Sequence, residues 1–326
     1  MSPGALPERV VISVGASSLV SEGRPDPAKL SALADAVVRM RADGVQPVLI
    51  GTGAVDVGAA WLASAGIPHS PTARQLAAAV GQGLLFESLR AALAERGLIA
   101  AQILLTPVDL TGAEHRDSSR KLLKDTLDAG LVPVVHENDA VMVRNSDVLA
   151  ALLAASLQAA RLLLFSDVPV LQDRGPGRGH RTRRTPEVAV IPPEIGQLVG
   201  IEAHGLGAGG AAAVLCAAWM ATLAGVPVVI ADADCVVLAA RGEDFGTLVH
   251  PRDARNDLDL ARLWRSLTTP PATASAPNAG TDLLTPRDPS RTGGSHLKAI
   301  NGDWRIITRP RRPLTPLTPA VEQVAS

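Results

Sequence analysis

Aromatic side chains are scarce in this chain: Phe and Trp make up 2% of the 326 residues, and Tyr is absent. A core with so few large rings must be built from Ala, Val, Leu and Ile, and 47% of the residues are hydrophobic. This length is enough for a well-buried core in one large domain, or in one domain with a small additional piece.

The chain also lacks an excess of either charge and lacks a disulfide framework. Its 31 Lys and Arg residues are balanced by 32 Asp and Glu residues, so the formal net charge is −1. Without a basic field, no nucleic-acid partner is expected for the bulk surface. The two cysteines, Cys216 and Cys235, both lie in apolar stretches and are expected to be buried, inert thiols.

Long apolar runs are missing as well. No run approaches the ~20 residues of a membrane span, and the N-terminus has no basic segment followed by a long apolar stretch. The chain is therefore expected to be cytoplasmic, with no membrane partner.

Short apolar runs alternate with helix-length stretches from Arg9 to about His250. The predicted strands are Val10–Val14, Pro47–Ile50, Ala100–Leu105, Val132–His136, Arg161–Ser166 and Val226–Ala231. The predicted helices are Asp26–Ala42, Ala73–Glu95, Ser118–Ala129, Asp147–Ala160 and Ala211–Ala224. The strands are continuously apolar, as expected for strands buried on both faces. The predicted fold class is α/β, a three-layer α/β/α sandwich with an open, mainly parallel sheet.

Composition divides the chain into two parts. Residues 9–251 form the predicted α/β domain. Residues 252–326 are rich in Pro, Thr and Ser and show little apolar periodicity, so this tail is expected to be largely disordered. A short segment near 297–308 is expected to be ordered, either as a strand or as a docking peptide.

Three predicted strand ends carry motifs at the edge where open α/β sheets bind ligands. The first strand runs into Gly15–Ser18 (Gly-Ala-Ser-Ser), where backbone amides and hydroxyls can approach a phosphate. The second leads into Gly51–Ala54 (Gly-Thr-Gly-Ala), which permits close backbone approach to a ligand. The third ends in His136–Asp139 (His-Glu-Asn-Asp). Taken singly, such motifs are also typical of tight turns and of solvated loop carboxylates.

Together these runs resemble the motifs of glutamate 5-kinases, which belong to the amino-acid kinase family. Ala79–Gln82 (Ala-Val-Gly-Gln) has the family's four letters, and Gln102–Thr106 resembles its Gln-Val-Leu-Leu-Thr. Gly81, inside a predicted helix, indicates a close helix–strand contact that offsets its low helix propensity. The similarity covers about residues 9–250, which makes 9–251 an amino-acid kinase domain, and the PUA-type domain of many relatives is expected to be missing.

The resemblance implies a reaction and its ligands. The expected activity is Mg-ATP-dependent phosphorylation of the side-chain carboxylate of glutamate or an analogue, within proline biosynthesis. No structural metal is expected. The expected partners are an amino acid and a nucleotide, together with further copies of the chain, because the fold's relatives commonly assemble into homo-oligomers.

The resemblance also assigns residues to the two ligands. For the amino acid it implies Thr52, Gly53, Ala54, Glu137, Asn138, Asp139 and Asp147. For the nucleotide it implies Gly15, Ser17, Ser18, Ser166, Asp167, Gly207, Gly209 and Gly210. Asp139 would hold the α-amino group of the substrate. Asp147 has two equally weighted interpretations, as a substrate contact or as the N-cap of the following helix.

Several positions depart from the family's motifs. The family's two lysines fall on Ser13 and Val214, so no catalytic residue is assigned. His136 stands where the family's Asn-Glu-Asn-Asp begins, and Gly51 stands at the start of its Ser-Ser-Gly-Ala-Val. The basic loop 174–184 is interpreted either as a solvated loop or as a source of arginines that reach ATP phosphates.

Three hypotheses remain open. The first is a glutamate 5-kinase-like phosphotransferase with a rewired phosphate clamp. The second is a non-catalytic pseudokinase that binds an amino acid or a nucleotide in a regulatory or scaffold role, which Ser13 and Val214 favour. The third is an enzyme of the same fold with different chemistry, in which His136 or Asp167 has a new role.

Overall fold

The structure of the protein is a computed structural model. It describes residues 8–67, 73–138, 146–166, 172–173, 183–184, 187–188, 211–241, 243, 245–251, 296–300 and 303–307. The predicted site residues Asp139, Asp167, Gly207, Gly209 and Gly210 lie outside these ranges, as do most of the basic loop 174–184 and most of the tail.

The described chain alternates strands and helices. In chain order the strands are β1 (Arg9–Val14), β2 (Val20–Ser21), β3 (Arg24–Pro25), β4 (Gln46–Gly51), β5 (Ala100–Leu105), β6 (Val132–Glu137), β7 (Arg161–Ser166), β8 (Gln172–Asp173), β9 (Arg183–Arg184), β10 (Glu187–Val188), β11 (Val228–Asp232), β12 (Thr247–Val249), β13 (His296–Ile300) and β14 (Asp303–Ile307). The α-helices are α1 (Pro27–Ala42), α2 (Ala54–Ser64), α3 (Ala73–Ala94), α4 (Pro107–Thr111), α5 (Ala113–Asp128), α6 (Ser146–Ser156), α7 (Ala211–Leu223) and α8 (Val236–Arg241).

Eight strands form one sheet, in the order β10-β12-β11-β7-β1-β4-β6-β5. Neighbouring strands are parallel except β11 and β12, which pair antiparallel. In the centre, Val11 of β1 lies opposite Val48 of β4 on one side and Leu162 of β7 on the other. The predicted open, mainly parallel sheet is confirmed.

Helices cover both faces of this sheet. Val11 belongs to one apolar cluster, with Trp219 of α7 and Leu149 of α6. Its neighbour Ile12 belongs to a second cluster, with Leu89 of α3 and residues of α1. Successive side chains of a strand point to opposite faces, so the two clusters are the two interfaces of a three-layer α/β/α sandwich.

The sequence-based boundaries are correct for the central strands and wrong at several helix ends. α5 begins at Ala113, before the predicted Ser118, and α2 (Ala54–Ser64) was not among the predicted helices. α6 ends at Ser156 rather than Ala160. It stops there because Gln158 adopts a φ of 50° and the following amide returns to the last turn, a common helix ending.

Helices α2 and α3 cross with their backbones in contact. A Cβ added to Gly58 would lie 1.8 Å from the carbonyl oxygen of Ala77, and one added to Gly81 would lie 1.8 Å from that of Ala54. The predicted helix–strand contact for Gly81 is therefore wrong, because its partner is a helix. The crossing presses α3 against the turn that joins β4 to α2, where the second predicted motif lies.

Among the described helices, α3 is long and apolar enough to cross a membrane by length and composition, with 22 residues and a mean hydropathy of 1.2 in its most apolar window. It buries Leu85, Leu89 and Leu93 in the second apolar cluster. These three side chains are therefore used for packing, while 39% of that most apolar window is buried.

Part of the tail forms a hairpin. Strands β13 and β14 pair antiparallel, with His296 opposite Ile307 and Ala299 opposite Trp304. The segment predicted to be ordered near 297–308 lies largely on this hairpin. Residues 252–295 and 308–326, for which disorder was expected, lie outside the described residues.

Candidate ligand site at the strand ends

Strands β1, β4, β6 and β7 are parallel, so their C-terminal ends lie at one edge of the sheet. Val14 is in register with Gly51, and β1 runs alongside β7, which ends at Ser166. This edge therefore gathers Ser13 to Ser18, the turn 51–54, residues 136–138 and Ser166. The convergence of the described motif positions, expected from the fold, is present.

The turn after β1 is fixed by its own backbone. Gly15 donates its amide to the carbonyl of Phe165 at 2.8 Å, and residues 16–18 form a short 3₁₀ turn. Ser18 is buried, and its hydroxyl donates to the carbonyl of Ala233 at 3.1 Å. The Ser18 hydroxyl therefore serves the packing of the turn, whereas Ser17 is exposed at the edge.

A cation that the sequence analysis did not identify lies at this turn. Lys29, in the first turn of α1, donates its ammonium to the carbonyls of Ser17 at 2.6 Å and Val20 at 3.3 Å. Asp26 caps the start of α1, the helix that carries Lys29, because its side chain accepts from the amides of Ala28 and Lys29. The Ser21 hydroxyl and the amide of Lys29 lower the pKa of Asp26 from its ordinary value.

The position of the family's first lysine is occupied by a serine that bonds to an aspartate. Ser13 is fully buried, and its hydroxyl donates to Oδ1 of Asp147 at 2.9 Å. Asp147 is the second residue of α6, which begins at Ser146, so the N-cap interpretation of Asp147 is wrong. The carboxylate instead lies in the first turn of the helix, and it reaches the end of β1.

The position of the family's second lysine carries no charge either. Val214 is 2% exposed and packs into the first apolar cluster, on the same helix as Trp219. α7 begins at Ala211, where a glycine-rich run was predicted to end. An ammonium group is therefore missing from both positions where the family has one.

The turn after β4 keeps the shape that the motif predicts. Gly53 has a φ of 99°, a conformation that favours glycine, and α2 starts at the next residue. The Thr52 hydroxyl donates to the carbonyl of Val14 at 2.7 Å. The Thr52 hydroxyl thus links the end of β4 to the end of β1. Ala54 is held in place by the contact between α2 and α3.

The end of β6 is buried more deeply than a solvated loop would be. Glu137 is 6% exposed and lies inside β6, so its interpretation as a solvated loop carboxylate is wrong. Asn138 is half-buried, and its amide donates to the carbonyl of Leu105 at 3.0 Å. Both residues are held by β6–β5 pairing rather than by a loop.

His136 is 1% exposed at the same strand end. Its ring meets that of Phe86 on α3 edge to face, with centroids 6.2 Å apart. Burial lowers the pKa of His136 to about 4, so the imidazole is neutral near pH 7. A Cβ added to Gly51 would lie 2.9 Å from its Nε2. The sequence analysis identified His136 as a departure from the family's motif, but it did not predict that the ring lies against Gly51.

The strand ends differ in how well they suit a metal ion and a phosphate. Across the residues that the structure describes, no group of three or more His, Cys, Asp and Glu side chains forms a metal site. The backbone turns and Ser17 fit a phosphate-bearing ligand, and Lys29 adds one cation beside them. The family's motifs imply two lysines around the phosphates. Ser13 and Val214 stand at those positions and do not supply these charges.

Two cavities lined by described residues lie at the opposite edge of the sheet, where the strands begin. A cavity of about 240 Å³, lined by residues that include Arg9, Arg120 and Ser156, lies at the start of β1, and a cavity of about 160 Å³ lies at the start of β4. Ligands of open α/β sheets bind at the carboxyl ends of strands. The chemistry of the strand ends therefore outweighs shape in locating the site.

Comparison with solved structures identifies the fold. The carbamate kinase of Giardia is similar, with a TM-score of 0.52 and 18% sequence identity, over 76% of this chain and 99% of that chain. The same kinase bound to AMP-PNP aligns with a TM-score of 0.52 as well. At this identity the likeness concerns the fold alone, which is that of an amino-acid kinase.

Comparison of sequences identifies the family. The model of the amino acid kinase family matches residues 8–232. The glutamate 5-kinase of Streptomyces coelicolor is 38% identical over 263 residues, which is 76% of this chain and 68% of that protein. That of Clavibacter sepedonicus is 35% identical over 249 residues, 75% of this chain and 95% of that protein. The chain belongs to the amino acid kinase family, as a glutamate 5-kinase-like member.

Proposed function

We propose that the protein binds Mg-ATP and an acidic amino acid at the strand ends and phosphorylates the side-chain carboxylate of glutamate or an analogue. The observation that carries this proposal is the convergence of the strand ends at one edge with their turns intact. The Thr52–Val14 bond, the Gly53 conformation and the Gly15–Phe165 bond fix those turns. Proteins that are 37–38% identical to this chain are glutamate 5-kinases.

In the proposed reaction a carboxylate oxygen of the amino acid attacks the γ-phosphorus. The bond from that phosphorus to the β–γ bridging oxygen breaks, and ADP leaves with the electron pair, so an acyl phosphate remains. Mg²⁺, bound with ATP, supplies positive charge to the phosphate oxygens. The chain supplies amide donors at the turn after β1 and the ammonium of Lys29 beside it. The turn 51–54 positions the acceptor.

The missing lysines set the expected rate. Loss of one preorganised charge in a site of this kind typically lowers the rate by about 10²–10³. Losses within one unit are not additive, so the combined effect of Ser13 and Val214 is not the product of two such factors. We therefore expect turnover at least about 10²-fold slower than in relatives that have both lysines.

A second candidate function is favoured by a specific observation. Ser13 is fully buried and bonded to Asp147, and Val214 is packed in the core. Position 13 thus carries a hydroxyl bonded to a carboxylate, and position 214 carries an apolar side chain, so neither supplies a positive charge. The alternative is a non-catalytic pseudokinase that binds an amino acid or a nucleotide in a regulatory or scaffold role. Under either function we place the protein in the cytoplasm, as a homo-oligomer acting on small molecules.

The test is release of ADP from Mg-ATP by the full chain, with glutamate and related acidic amino acids, and with hydroxylamine present to trap an acyl phosphate. Glu137→Gln removes a buried carboxylate of the site with little change in shape. Glu114→Gln makes the same change at an exposed position and is the matched control.

Amino-acid-dependent ADP release that Glu137→Gln lowers and Glu114→Gln does not would support the phosphotransferase. Saturable binding of Mg-ATP or of an amino acid by calorimetry, without turnover, would support the pseudokinase. Neither binding nor turnover with any of these ligands would overturn both functions.

A further inference from the structure

His136 is a buried imidazole whose hydrogen-bonding groups are unused within the described chain. Its side chain is 1% exposed, and neither Nδ1 nor Nε2 has a hydrogen-bond partner there. A neutral imidazole carries one N–H donor and one acceptor nitrogen. Buried polar groups in folded proteins are nearly always paired, so an exception at a ligand-binding edge requires a functional explanation.

The ring occupies space that Gly51 leaves open. Leu49 and Ile50 of β4 are in register with Val134 and Val135 of β6, which places Gly51 beside His136 at the next step. A Cβ at position 51 would lie 2.9 Å from Nε2, closer than real Cβ atoms approach such a neighbour. Any other residue at 51 would have to move the imidazole ring.

The two positions therefore form a pair across the sheet. Where the motifs of glutamate 5-kinases have Ser and Asn, this chain has Gly51 and His136. The exchange moves side-chain volume from β4 to β6 while nearly conserving the total, which is the kind of change that cores tolerate best. It also removes a hydroxyl from one strand end and puts a longer donor–acceptor group at the other.

A second unused polar atom lies on the adjoining helix. Gln82 precedes Phe86 by one turn of α3, so both lie on one face of that helix, and Phe86 contacts the His136 ring. Oε1 of Gln82 is buried without a hydrogen-bond partner in the described chain. Because Gly81 presses on Ala54, this part of α3 borders the turn 51–54. Glu137, the next titratable group on β6, points to the opposite face.

We propose that His136 is a specificity-determining residue of the acceptor site, that Gly51 makes room for its ring, and that the preferred acceptor is an acidic amino acid with an additional hydroxyl or amino group. This inference rests on the proposed function. The unused groups are two acceptors and one donor, and a plain carboxylate brings acceptors only. A hydroxyl or amino substituent on the ligand could donate a hydrogen bond to the unprotonated imidazole nitrogen or to Oε1 of Gln82, neither of which has a donor in the described chain.

The test compares binding of glutamate and 4-hydroxyglutamate by calorimetry. The proteins are the wild type, His136→Asn, Gly51→Ser and the double variant, all as full chains with Mg-ADP present. The wild type is expected to bind 4-hydroxyglutamate at least tenfold more tightly than glutamate. The double variant is expected to reverse that preference, because it restores the residues found in the family's motifs.

Urea unfolding of the same four proteins gives their free energies of unfolding, and hence the coupling between positions 51 and 136 in the absence of any ligand. Gly51→Ser alone should destabilise the chain because of the clash, and His136→Asn should relieve that effect. Additive effects of the two changes would overturn the pairing. Should Gly51→Ser fail to fold while the double variant folds, the pairing is supported, and loss of the preference in His136→Asn alone then tests the specificity.

The outcomes separate this inference from the proposed function. Equal binding of both amino acids by the wild type, with no change in the double variant, overturns the inference and leaves the proposed function standing. No binding by the wild type but glutamate binding by the double variant supports the role of the pair and overturns the proposed acceptor for the natural chain. No binding by any of the four proteins overturns both.

Discussion

The buried imidazole of His136 makes the stability of the fold depend on pH in a defined window. Burial lowers its pKa from the ordinary 6.5 to about 4. Between these values the unfolded chain binds a proton at His136 and the folded chain does not. The free energy of unfolding contributed by this group is therefore fully present above pH 6.5 and falls as the pH drops toward 4.

The magnitude follows from the size of the shift. One pKa unit corresponds to about 1.4 kcal/mol, so a shift of about 2.5 units amounts to about 3 kcal/mol over the whole window. Urea unfolding at closely spaced pH values from 7.5 to 4 measures it. His136→Asn removes the titrating group, and His115→Asn makes the same change at an exposed position. The comparison uses slopes against pH, so the cost of a changed core volume cancels.

We expect the difference in unfolding free energy between the wild type and His136→Asn to shrink by about 1.4 kcal/mol for each pH unit below 6.5. The His115→Asn protein should follow the wild type. Asp26, whose pKa is lowered, keeps its contribution throughout this pH range and loses it only below its ordinary pKa of 3.8. Parallel pH dependence of the wild type and His136→Asn would refute the reasoning, because it would mean that the folded state protonates His136 as readily as the unfolded state does.

Two further predictions concern the crossing of α2 and α3 and the missing lysines. Gly81→Ala should destabilise the chain by about 1–3 kcal/mol in urea unfolding, because the added Cβ would lie 1.8 Å from the Ala54 carbonyl. Gly83 lies on the same helix, and a Cβ added there would meet nothing within 4 Å. Gly83→Ala should therefore stabilise the chain by up to about 1 kcal/mol. Equal effects of the two substitutions would contradict the close contact between α2 and α3. Ser13→Lys combined with Val214→Lys should raise amino-acid-dependent ADP release by at least about 10², with Ser13→Lys alone as the variant that leaves the core intact. An unchanged rate in folded variants that bind Mg-ATP would mean that the groups around the ATP phosphates differ from those of the family in more than the two lysine charges.

Local sequence pattern was sufficient for six of the eight strands of the sheet, and β10 and β12 were not predicted. β7 coincides with the predicted Arg161–Ser166, because a strand buried on both faces is a continuous apolar run. β5 also coincides with the predicted Ala100–Leu105, although it is an edge strand with Gln102 and Leu104 exposed. Helix α2 was not predicted, since it is short and contains Gly58, which lowers helix propensity. Gly58 is explained by a contact with α3, which no local pattern displays.

The contacts that define the site join residues far apart in the chain. Ser13 and Asp147 are 134 positions apart, and the bond between them was not foreseen although both residues had been singled out. The Gly51–His136 contact was missed for the same reason. A motif gives the residue types at a strand end, whereas the register of the sheet decides which of them meet. Lys29 was missed because a lysine in a helical stretch carries no local signal of the carbonyls it contacts.

The departures from the family's motifs are compensated one by one, and this bears on what the site is for. The Ser13 hydroxyl bonds to Asp147, Val214 packs among apolar neighbours, and the His136 ring fits the space at Gly51. Uncompensated change at these positions would have left a steric clash at 51 or an unfilled core position at 214. The turn after β4 meanwhile has the left-handed glycine conformation, with a φ of 99° at Gly53. Such coordinated changes in side chains fit the proposed acceptor, so the acceptor specificity is the property to measure before the rate.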